Sequence, residues 1–162
     1  MCQQQREALQ RAASASVAAG ALATLAKDHI VNQAMVTEDD GIPPLVELLR
    51  NAAMTSHENA TKALWYLGGT QDNQSAIARA GGIEPLVMLL SSDLEITAQY
   101  AAAALESLAR GHLENQIALS KAGAIEPLIA LLNSDVVETQ EHAVGAARRD
   151  PRVPSPPPGG RG

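Results

Sequence analysis

The chain has 162 residues, of which 46% are hydrophobic but only 2% are aromatic, and it contains no phenylalanine. Because bulky rings dominate the energetics of most single cores, this composition favours short helices packed through Leu, Ile, Val and Ala. The formal net charge is −6. An acidic surface with few rings to stack on bases disfavours nucleic acid as a partner, and basic protein segments are the better electrostatic match.

An Ala-rich apolar stretch covers residues 12 to 26 near the start of the chain. It aligns with residues 101 to 109, so we predict a leading helix that ends at about residue 27 rather than a signal peptide. No apolar run approaches the length of a membrane span, and we expect no membrane insertion. Cys2 is the lone cysteine. Together with the lack of an export signal, this favours a cytoplasmic location, with the nucleus as an alternative.

Three landmarks recur with a period of 41 or 42 residues. The first is a Pro-Leu run: GIPPLVELL begins at Gly41, GIEPLVMLL at Gly82 and AIEPLIALL at Ala124. An Asn-Gln pair precedes each run, and a block reading Ala-Leu-x-x-Leu recurs in the same register. Self-similarity at a fixed period of this length is typical of stacked repeat proteins and not of a single core.

The middle period illustrates the first two helices that we predict for each repeat. A first helix covers about residues 73–80 and stops at the Gly81-Gly82 pair, since glycine after an apolar run commonly ends a helix. A second helix covers about residues 83–90. Pro85 lies in its first turn, where the missing amide proton costs nothing.

The third predicted helix of this period covers about residues 94–110. Asp93 precedes it as the expected N-cap, and Ser134-Asp135 repeats this cap one period later. Helical spacing directs one apolar face of the third helix toward the stack. The members of this face are Ile96, Ala101, Ala104, Leu105 and Leu108.

A three-helix unit of this length with these recurring motifs resembles the armadillo repeat. The resemblance lies in the Gly-Ile or Ala-Ile entry, the Pro-Leu-Val-x-Leu-Leu second helix and the Ala-Leu-x-x-Leu third helix. Among armadillo arrays, the sequence is most similar in type to the vacuolar-protein-8-like and plant or protist arrays. It covers about residues 12–149 and implies an all-α fold, a right-handed α-solenoid of three-helix armadillo repeats. We therefore expect an array over residues 1–149, with a lone leading helix to about 27 and repeats at about 28–69, 70–110 and 111–149.

Both ends of the sequence differ from those of a complete array. No Pro-Leu-Val run precedes the leading helix, and the last third helix is interrupted at Asp150-Pro151. Residues 150–162 are rich in Pro, Gly and Arg, and we expect them to be disordered. These features predict a fragment of a longer array, and its uncapped ends favour self-association.

The sequence contains no pattern typical of catalysis or metal binding. A single cysteine forms neither a Cys-based zinc site nor an internal disulfide, and no Gly-rich phosphate loop or nucleophile elbow occurs. The four histidines lack the spacing of metal ligands: His29, His57, His112 and His142. We therefore predict a protein that is not an enzyme and that uses no metal or cofactor.

The armadillo resemblance also bears on how a partner is held. In importin- and catenin-type arrays the third helix reads Ala-Leu-x-Asn-Leu, and that Asn grips an extended peptide backbone. The equivalent positions of this chain are Thr24, Tyr66, Ser107 and Arg149. Because no Asn stands there, the resemblance does not extend to recognition of a nuclear-localisation peptide by the importin mechanism.

Residues four apart on each third helix share one side, and their phase identifies the side chains that face the groove. The adjacent column holds Val17, Asn59, Tyr100 and His142. The predicted protein-binding groove takes its polar or aromatic residues from these two columns: Lys62, Tyr66, Gln99, Tyr100, Ser107 and Glu141. Tyr66 and Tyr100 are the best recognition candidates, because tyrosine combines a large contact area with a hydrogen-bonding tip. Packing between Ala-rich helices is the alternative for Tyr66, and it is favoured for Trp65.

We therefore predict a non-catalytic scaffold or adaptor that binds an extended peptide or partner protein along the concave groove. Two alternatives stay open. The chain would be the substrate-recruiting armadillo segment of a multidomain U-box ubiquitin ligase, or a structural component of a large cytoskeletal or axonemal assembly. A U-box or kinase domain elsewhere in the parent gene would favour the first alternative, and these 162 residues contain neither.

Overall fold

In a computed structural model of the chain, the described residues are 3–51 and 54–147. Ten α-helices account for most of this part, which contains no strand. The helices are α1 (Gln3–Ala26), α2 (Ile30–Glu38), α3 (Ile42–Asn51), α4 (Met54–Leu67), α5 (Gln71–Arg79), α6 (Ile83–Leu89), α7 (Glu95–Ala109), α8 (Leu113–Lys121), α9 (Ile125–Leu131) and α10 (Val137–Ala147). The predicted tail of residues 150–162 lies outside the described residues.

After α1, the helices follow one another in triplets. Each triplet (α2–α4, α5–α7 and α8–α10) consists of two shorter helices and a longer third helix. The third helices pack side by side, α4 against α7 and α7 against α10, and α1 packs against α4 as a further helix of this kind. Each second helix packs on the third helix of its own triplet. The predicted all-helical solenoid is confirmed.

The core is a continuous apolar layer between the second and third helices. Its largest members include the paired leucines of the Ala-Leu-x-x-Leu blocks in the two inner third helices, Leu64, Leu67, Leu105 and Leu108, which are fully buried. Alanines of the same helices fill the space between them, because a methyl side chain lets neighbouring backbones approach closely. The Ala- and Leu-rich composition therefore reflects contact between repeats.

The recurring Asn-Gln pairs cap the preceding third helix. In each pair the Asn Nδ2 donates to a carbonyl near the end of that helix: Asn32 to Leu25, Asn73 to Leu67 and Asn115 to Leu108, at 2.8, 2.9 and 2.9 Å. The Gln Nε2 donates to the carbonyl of the following residue, as that of Gln116 does to Ala109 at 2.9 Å. These carbonyls lie at the end of their helix, where intrahelical donors run out, so the pairs help to satisfy them. The Ala109 oxygen also accepts a bond from the His112 amide at 3.4 Å.

The same asparagines also join neighbouring repeats. The Nδ2 of Asn73 donates to the backbone oxygen of Gln33 at 3.3 Å, and that of Asn115 donates to the backbone oxygen of Gln74 at 3.4 Å. Thr37 adds a bond from its hydroxyl to the Oδ1 of Asn73 at 2.8 Å. One buried amide thus connects a third helix, its following first helix and the first helix of the repeat before.

A left-handed residue separates the first and second helices of every repeat. Asp40, Gly81 and Gly123 occupy equivalent positions and have φ values of 54°, 74° and 80°. Glycine adopts this conformation without steric cost, and aspartate is among the few other residues that tolerate it. Asp40 therefore acts as a turn residue in the first repeat, at the position that glycine holds in the other two.

The predicted cap of the third helix is wrong. Helix α7 has Leu94 as its N-cap residue, without a side-chain cap, and Asp93 is exposed. Instead the hydroxyl of Ser92 accepts a hydrogen bond from the Leu94 amide at 3.2 Å, and Ser134 does the same for Val136 at 3.1 Å. A serine hydroxyl can close a turn by accepting a hydrogen bond from the backbone amide two residues later. Ser92 therefore takes the role at the start of α7 that was expected of Asp93.

One member of the predicted buried face of α7 is also wrong. Ile96 is 38% exposed, whereas Ala101, Ala104, Leu105 and Leu108 are buried as predicted. Ile96 lies in the first turn of the helix, and the buried residue at that end is its neighbour Thr97. The apolar stripe therefore begins later than its sequence suggests.

A pH dependence follows from His57 on α4. Burial lowers the pKa of its imidazole, whose Nε2 has no hydrogen-bond partner among the described residues. The unfolded chain therefore takes up this proton first, at about pH 6.5, and stability falls as the pH decreases from there toward the lowered pKa. We expect urea unfolding to give a lower free energy at pH 5.5 than at pH 7.5. The difference should shrink in His57→Gln, and an unchanged difference would assign the effect to other groups.

Candidate functional site

The third helices α1, α4, α7 and α10 form one surface of the stack, and this surface is concave. The indole of Trp65 on α4 lies 5.4 Å from the imidazole of His142 on α10, with their planes at 71°. Helix α7 lies between these two helices in the stack. Side chains of next-nearest helices meet in this way only where the stack curves toward them.

An aromatic cluster lies in this concave surface and consists of Trp65, Tyr66, Tyr100 and His142. The Trp65 ring stacks on Tyr66 at a centroid distance of 4.6 Å and on Tyr100 at 5.7 Å. All four side chains are half-buried. The chain has one tryptophan, two tyrosines and no phenylalanine. Every Phe, Tyr or Trp ring of the protein is therefore found in this one cluster.

Two lysines lie over the tyrosine rings of the cluster. The Nζ of Lys27 is 5.9 Å from the Tyr66 centroid, and the Nζ of Lys62 is 5.6 Å from the Tyr100 centroid. These distances are within the range of a cation–π interaction. Burial raises the pKa of Tyr100, with a further contribution from the nearby carboxylate of Glu58. A tyrosine phenol is protonated at neutral pH in any case, so Tyr100 can donate a hydrogen bond to a ligand.

A half-buried carboxylate borders the cluster on the side of α10. The Oε2 of Glu106 lies 2.9 Å from the Nδ1 of His142, and its Oε1 lies 3.6 Å from Arg110. Gly145 passes directly beneath this carboxyl group, and a Cβ at that position would collide with it. Because Gly145 has no side chain, the Glu106 carboxylate can reach His142.

The predicted groove residues differ in what they contribute. Tyr66 and Tyr100 belong to the aromatic cluster, and Lys62 lies over it. Gln99 is half-buried and Glu141 is exposed. Ser107 is only 9% exposed, which corrects its predicted position in the groove. Its backbone oxygen accepts a bond from Gln74 on α5 of the same triplet, so it contributes to the packing within that repeat.

Sequence reasoning missed four participants of this site, which are Trp65, Lys27, Glu106 and His142. Trp65 and Glu106 occupy equivalent positions of α4 and α7, one residue away from the phase that was used to select the groove. Both side chains are long enough to cross to the next third helix. The one signal in the sequence was the adjacency of Trp65 and Tyr66, the densest aromatic pair in a chain almost without rings.

Comparison with known families agrees with this architecture. The family model of the Armadillo/beta-catenin-like repeat matches residues 31–68, 70–110 and 113–148. The chain belongs to the armadillo repeat family. In the described part of this armadillo array, no helix is long and apolar enough to cross a membrane, and no group of His, Cys, Asp or Glu is arranged to hold a metal ion.

Solved structures similar to this array include engineered armadillo proteins. The crystal structure of one engineered protein is 32% identical with a TM-score of 0.79, covering 83% of this chain and 55% of the other. A designed armadillo repeat protein in complex with the peptide (KR)4 is 28% identical with a TM-score of 0.76, covering 82% of this chain and 56% of the other. The array thus spans a little over half the length of these structures.

Among curated proteins, the array is similar to the U-box domain-containing protein 12 of Oryza sativa subsp. japonica. The two are 36% identical over 57 residues, which amount to 35% of this chain and 9% of the rice protein. The similarity therefore concerns a small part of that protein.

Proposed function

We propose that this armadillo array is a non-catalytic scaffold that binds an extended segment of a partner protein along its concave surface. The observation that carries the proposal is the aromatic cluster. All three Phe, Tyr or Trp residues of the chain are half-buried on the concave surface, where Trp65 and Tyr66 pack against the core without being enclosed in it. Tyr and Trp are the residues that most often supply binding energy at protein interfaces.

Charge favours a basic partner segment. Glu106 and the exposed Glu141 lie at the α10 end of the cluster, and Glu58 lies close to Tyr100. Lys27, which follows α1, lies over Tyr66, whereas Lys62 lies over Tyr100, the same ring that Glu58 approaches. A cationic side chain of the ligand therefore meets the cluster next to His142. The similar designed armadillo protein was solved with the basic peptide (KR)4, which is consistent with this polarity.

Intrinsic fluorescence tests this proposal directly, because Trp65 is the only tryptophan of the chain. We expect a (KR)4 peptide to change the emission of Trp65 in a saturable way, whereas the acidic peptide (DE)4 leaves it unchanged. Tyr100→Ala should weaken binding about tenfold, the loss typical of an aromatic anchor. Calorimetry provides the affinities, and far-UV circular dichroism checks that the variant is folded.

A matched pair of acidic residues serves as the control. Glu141→Gln removes an exposed carboxylate beside the cluster and should weaken (KR)4 binding. Glu126→Gln removes an exposed carboxylate from α9, outside the concave surface, and should leave binding unchanged. Equal effects of the two substitutions, or equal binding of the two peptides, would show that only net charge matters and would contradict a specific groove.

The similarity to the rice U-box protein supports a narrower second candidate. In this case the array recruits substrates as one segment of a multidomain ubiquitin ligase. The concave surface would serve the same binding role, and the transfer chemistry would belong to a separate domain. Detection of a U-box in the full-length gene, with ubiquitin transfer that depends on Tyr100, would support this candidate. Transfer unaffected by Tyr100→Ala would contradict it.

A further inference from the structure

Lys62 differs from the residues at the equivalent positions of the other third helices. Those residues are Gly20 of α1, Ala103 of α7 and Gly145 of α10. A side chain of a neighbouring helix lies directly against each glycine, and the alanine is buried. Three of the four third helices therefore keep this position small. Only α4 has a long side chain there, and it extends over the ring of Tyr100 on α7.

The ammonium group of Lys62 occupies a place that also suits a cation of a ligand. Its Nζ lies 5.6 Å from the centroid of the Tyr100 ring. Such a position favours any ammonium or guanidinium group, because the negative face of the ring attracts positive charge. A basic side chain of a bound segment can use this face of Tyr100 only if Lys62 leaves it.

Glu58 offers Lys62 a second position on the same helix. The two residues lie four apart on α4 with the glutamate first, which is the order in which Glu and Lys pair most favourably. Both side chains are half-buried. Burial and the charge of Glu58 raise the pKa of the Tyr100 phenol, which places this carboxylate close to the same ring. Lys62 can therefore move from the ring to the carboxylate by a change of side-chain rotamer.

We propose that Lys62 is an exchangeable occupant of the Tyr100 ring and thereby sets the affinity of the concave surface for basic segments. In the free protein its ammonium group covers the ring. When a segment binds, one of its lysine or arginine side chains takes this place and Lys62 pairs with Glu58. The inference rests on the proposed function, and it adds which ring a cation of the ligand reaches and which residue competes with that cation.

Removal of Lys62 tests the competition. Lys62→Ala introduces the residue type that α7 has at the equivalent position, so the variant should fold. We expect it to bind (KR)4 about threefold to tenfold more tightly in calorimetry, because a ring without its own cation is open to that of the peptide. The control Lys121→Ala removes the same charge from an exposed position of α8, outside the concave surface. It should change the affinity by less than about twofold, because salt screens distant charges.

A double-mutant cycle separates competition for the ring from repulsion between cations. In a Tyr100→Ala background there is no ring to compete for. Lys62→Ala should then tighten (KR)4 binding by less than about twofold, since the two substitutions remove one shared interaction. The same tightening with and without Tyr100 would mean that Lys62 only repels the peptide, and it would overturn the proposal.

A second cycle tests where Lys62 goes. Glu58→Gln removes the carboxylate that receives the displaced ammonium group, so it should weaken (KR)4 binding while Lys62 is present. In a Lys62→Ala background the same substitution should have much less effect. Equal weakening in both backgrounds would mean that Glu58 binds the peptide directly and would overturn the transfer of Lys62 to Glu58.

Side-chain NMR follows the exchange directly. Ring currents shift protons above an aromatic face upfield, so the Cε protons of Lys62 should show this shift in the free protein. They should lose it when unlabelled (KR)4 is added to the ¹³C-labelled protein, and Lys62→Ala assigns the signal. An upfield shift that persists at saturation would overturn the displacement. Failure of (KR)4 to bind either form of the protein would contradict the proposed function itself, whereas binding that Lys62→Ala leaves unaffected would overturn only the exchange.

Discussion

Replacement of Leu108 by alanine is expected to lower the free energy of unfolding by about 2 to 5 kcal/mol, the cost of truncating a fully buried leucine. Leu108 lies in the core between α7 and its neighbours with no exposed surface. The surrounding alanines have no longer side chains that could move into the space. The cavity should therefore persist and make the loss large. Urea unfolding followed by far-UV circular dichroism measures it.

The chain provides a matched control in the equivalent residue of α1. Leu25 is 57% exposed, so Leu25→Ala removes little buried surface and should cost less than about 1 kcal/mol. The two substitutions delete the same atoms at the same position of the repeat. A similar loss in both would mean that exposure in the structure does not describe the packing of these leucines, and it would contradict the assignment of the core.

Asn73→Asp is expected to destabilise the protein by about 2 to 4 kcal/mol, the cost of leaving buried polar groups without their hydrogen bonds. The side chain of Asn73 is 2% exposed and donates to the backbone oxygens of Leu67 and Gln33. A carboxylate keeps the shape but reverses the donor, so it places a buried negative charge against two carbonyl oxygens. Because residue 73 lies in the first turn of α5, the helix dipole stabilises the new negative charge by about 0.3 to 1 kcal/mol. The loss of the donor is therefore the larger effect.

Asn32→Asp is the corresponding control at the start of the stack. Asn32 is less buried and bonds the Leu25 oxygen near solvent at 2.8 Å. Water can replace this bond, and the favourable interaction with the α2 dipole offsets part of what is lost. We expect a change within about 1 kcal/mol in thermal and urea unfolding. A loss as large as that of Asn73→Asp would contradict the distinction between inner and terminal repeats.

The sequence was sufficient to predict the fold because the same landmarks recur at the same spacing in three successive repeats. Each second helix begins after a left-handed turn residue and contains a proline near its start, which leaves little freedom for its placement. The errors concern helix starts, where local hydrogen bonds decide. Ser92 and Asp93 are both good capping residues, and composition alone does not reveal which of them bonds the nearby amide.

The candidate site was predictable only in part. Helical phase selected Lys62 and Tyr66, which lie four apart on α4, and Tyr100 from the adjacent column of α7. It did not find the contact of Trp65 with His142, since this depends on how strongly the stack curves over α7. Curvature is a sum of small rotations between repeats and has no local signature in the sequence. Ser107 shows the converse error, because its phase is suitable but Gly68, just after α4, approaches it closely and leaves it buried.

The asparagine bonds between repeats have a consequence for recognition. Asn73 and Asn115 each tie their own first helix to the one before it through buried hydrogen bonds. A change in the angle between two repeats would have to break these bonds away from water, where they are costly to lose. The concave surface is consequently preorganised, and the rings of the aromatic cluster keep their spacing before a ligand arrives. Binding then spends little free energy on ordering the receptor, so even a short peptide with few contacts can be held.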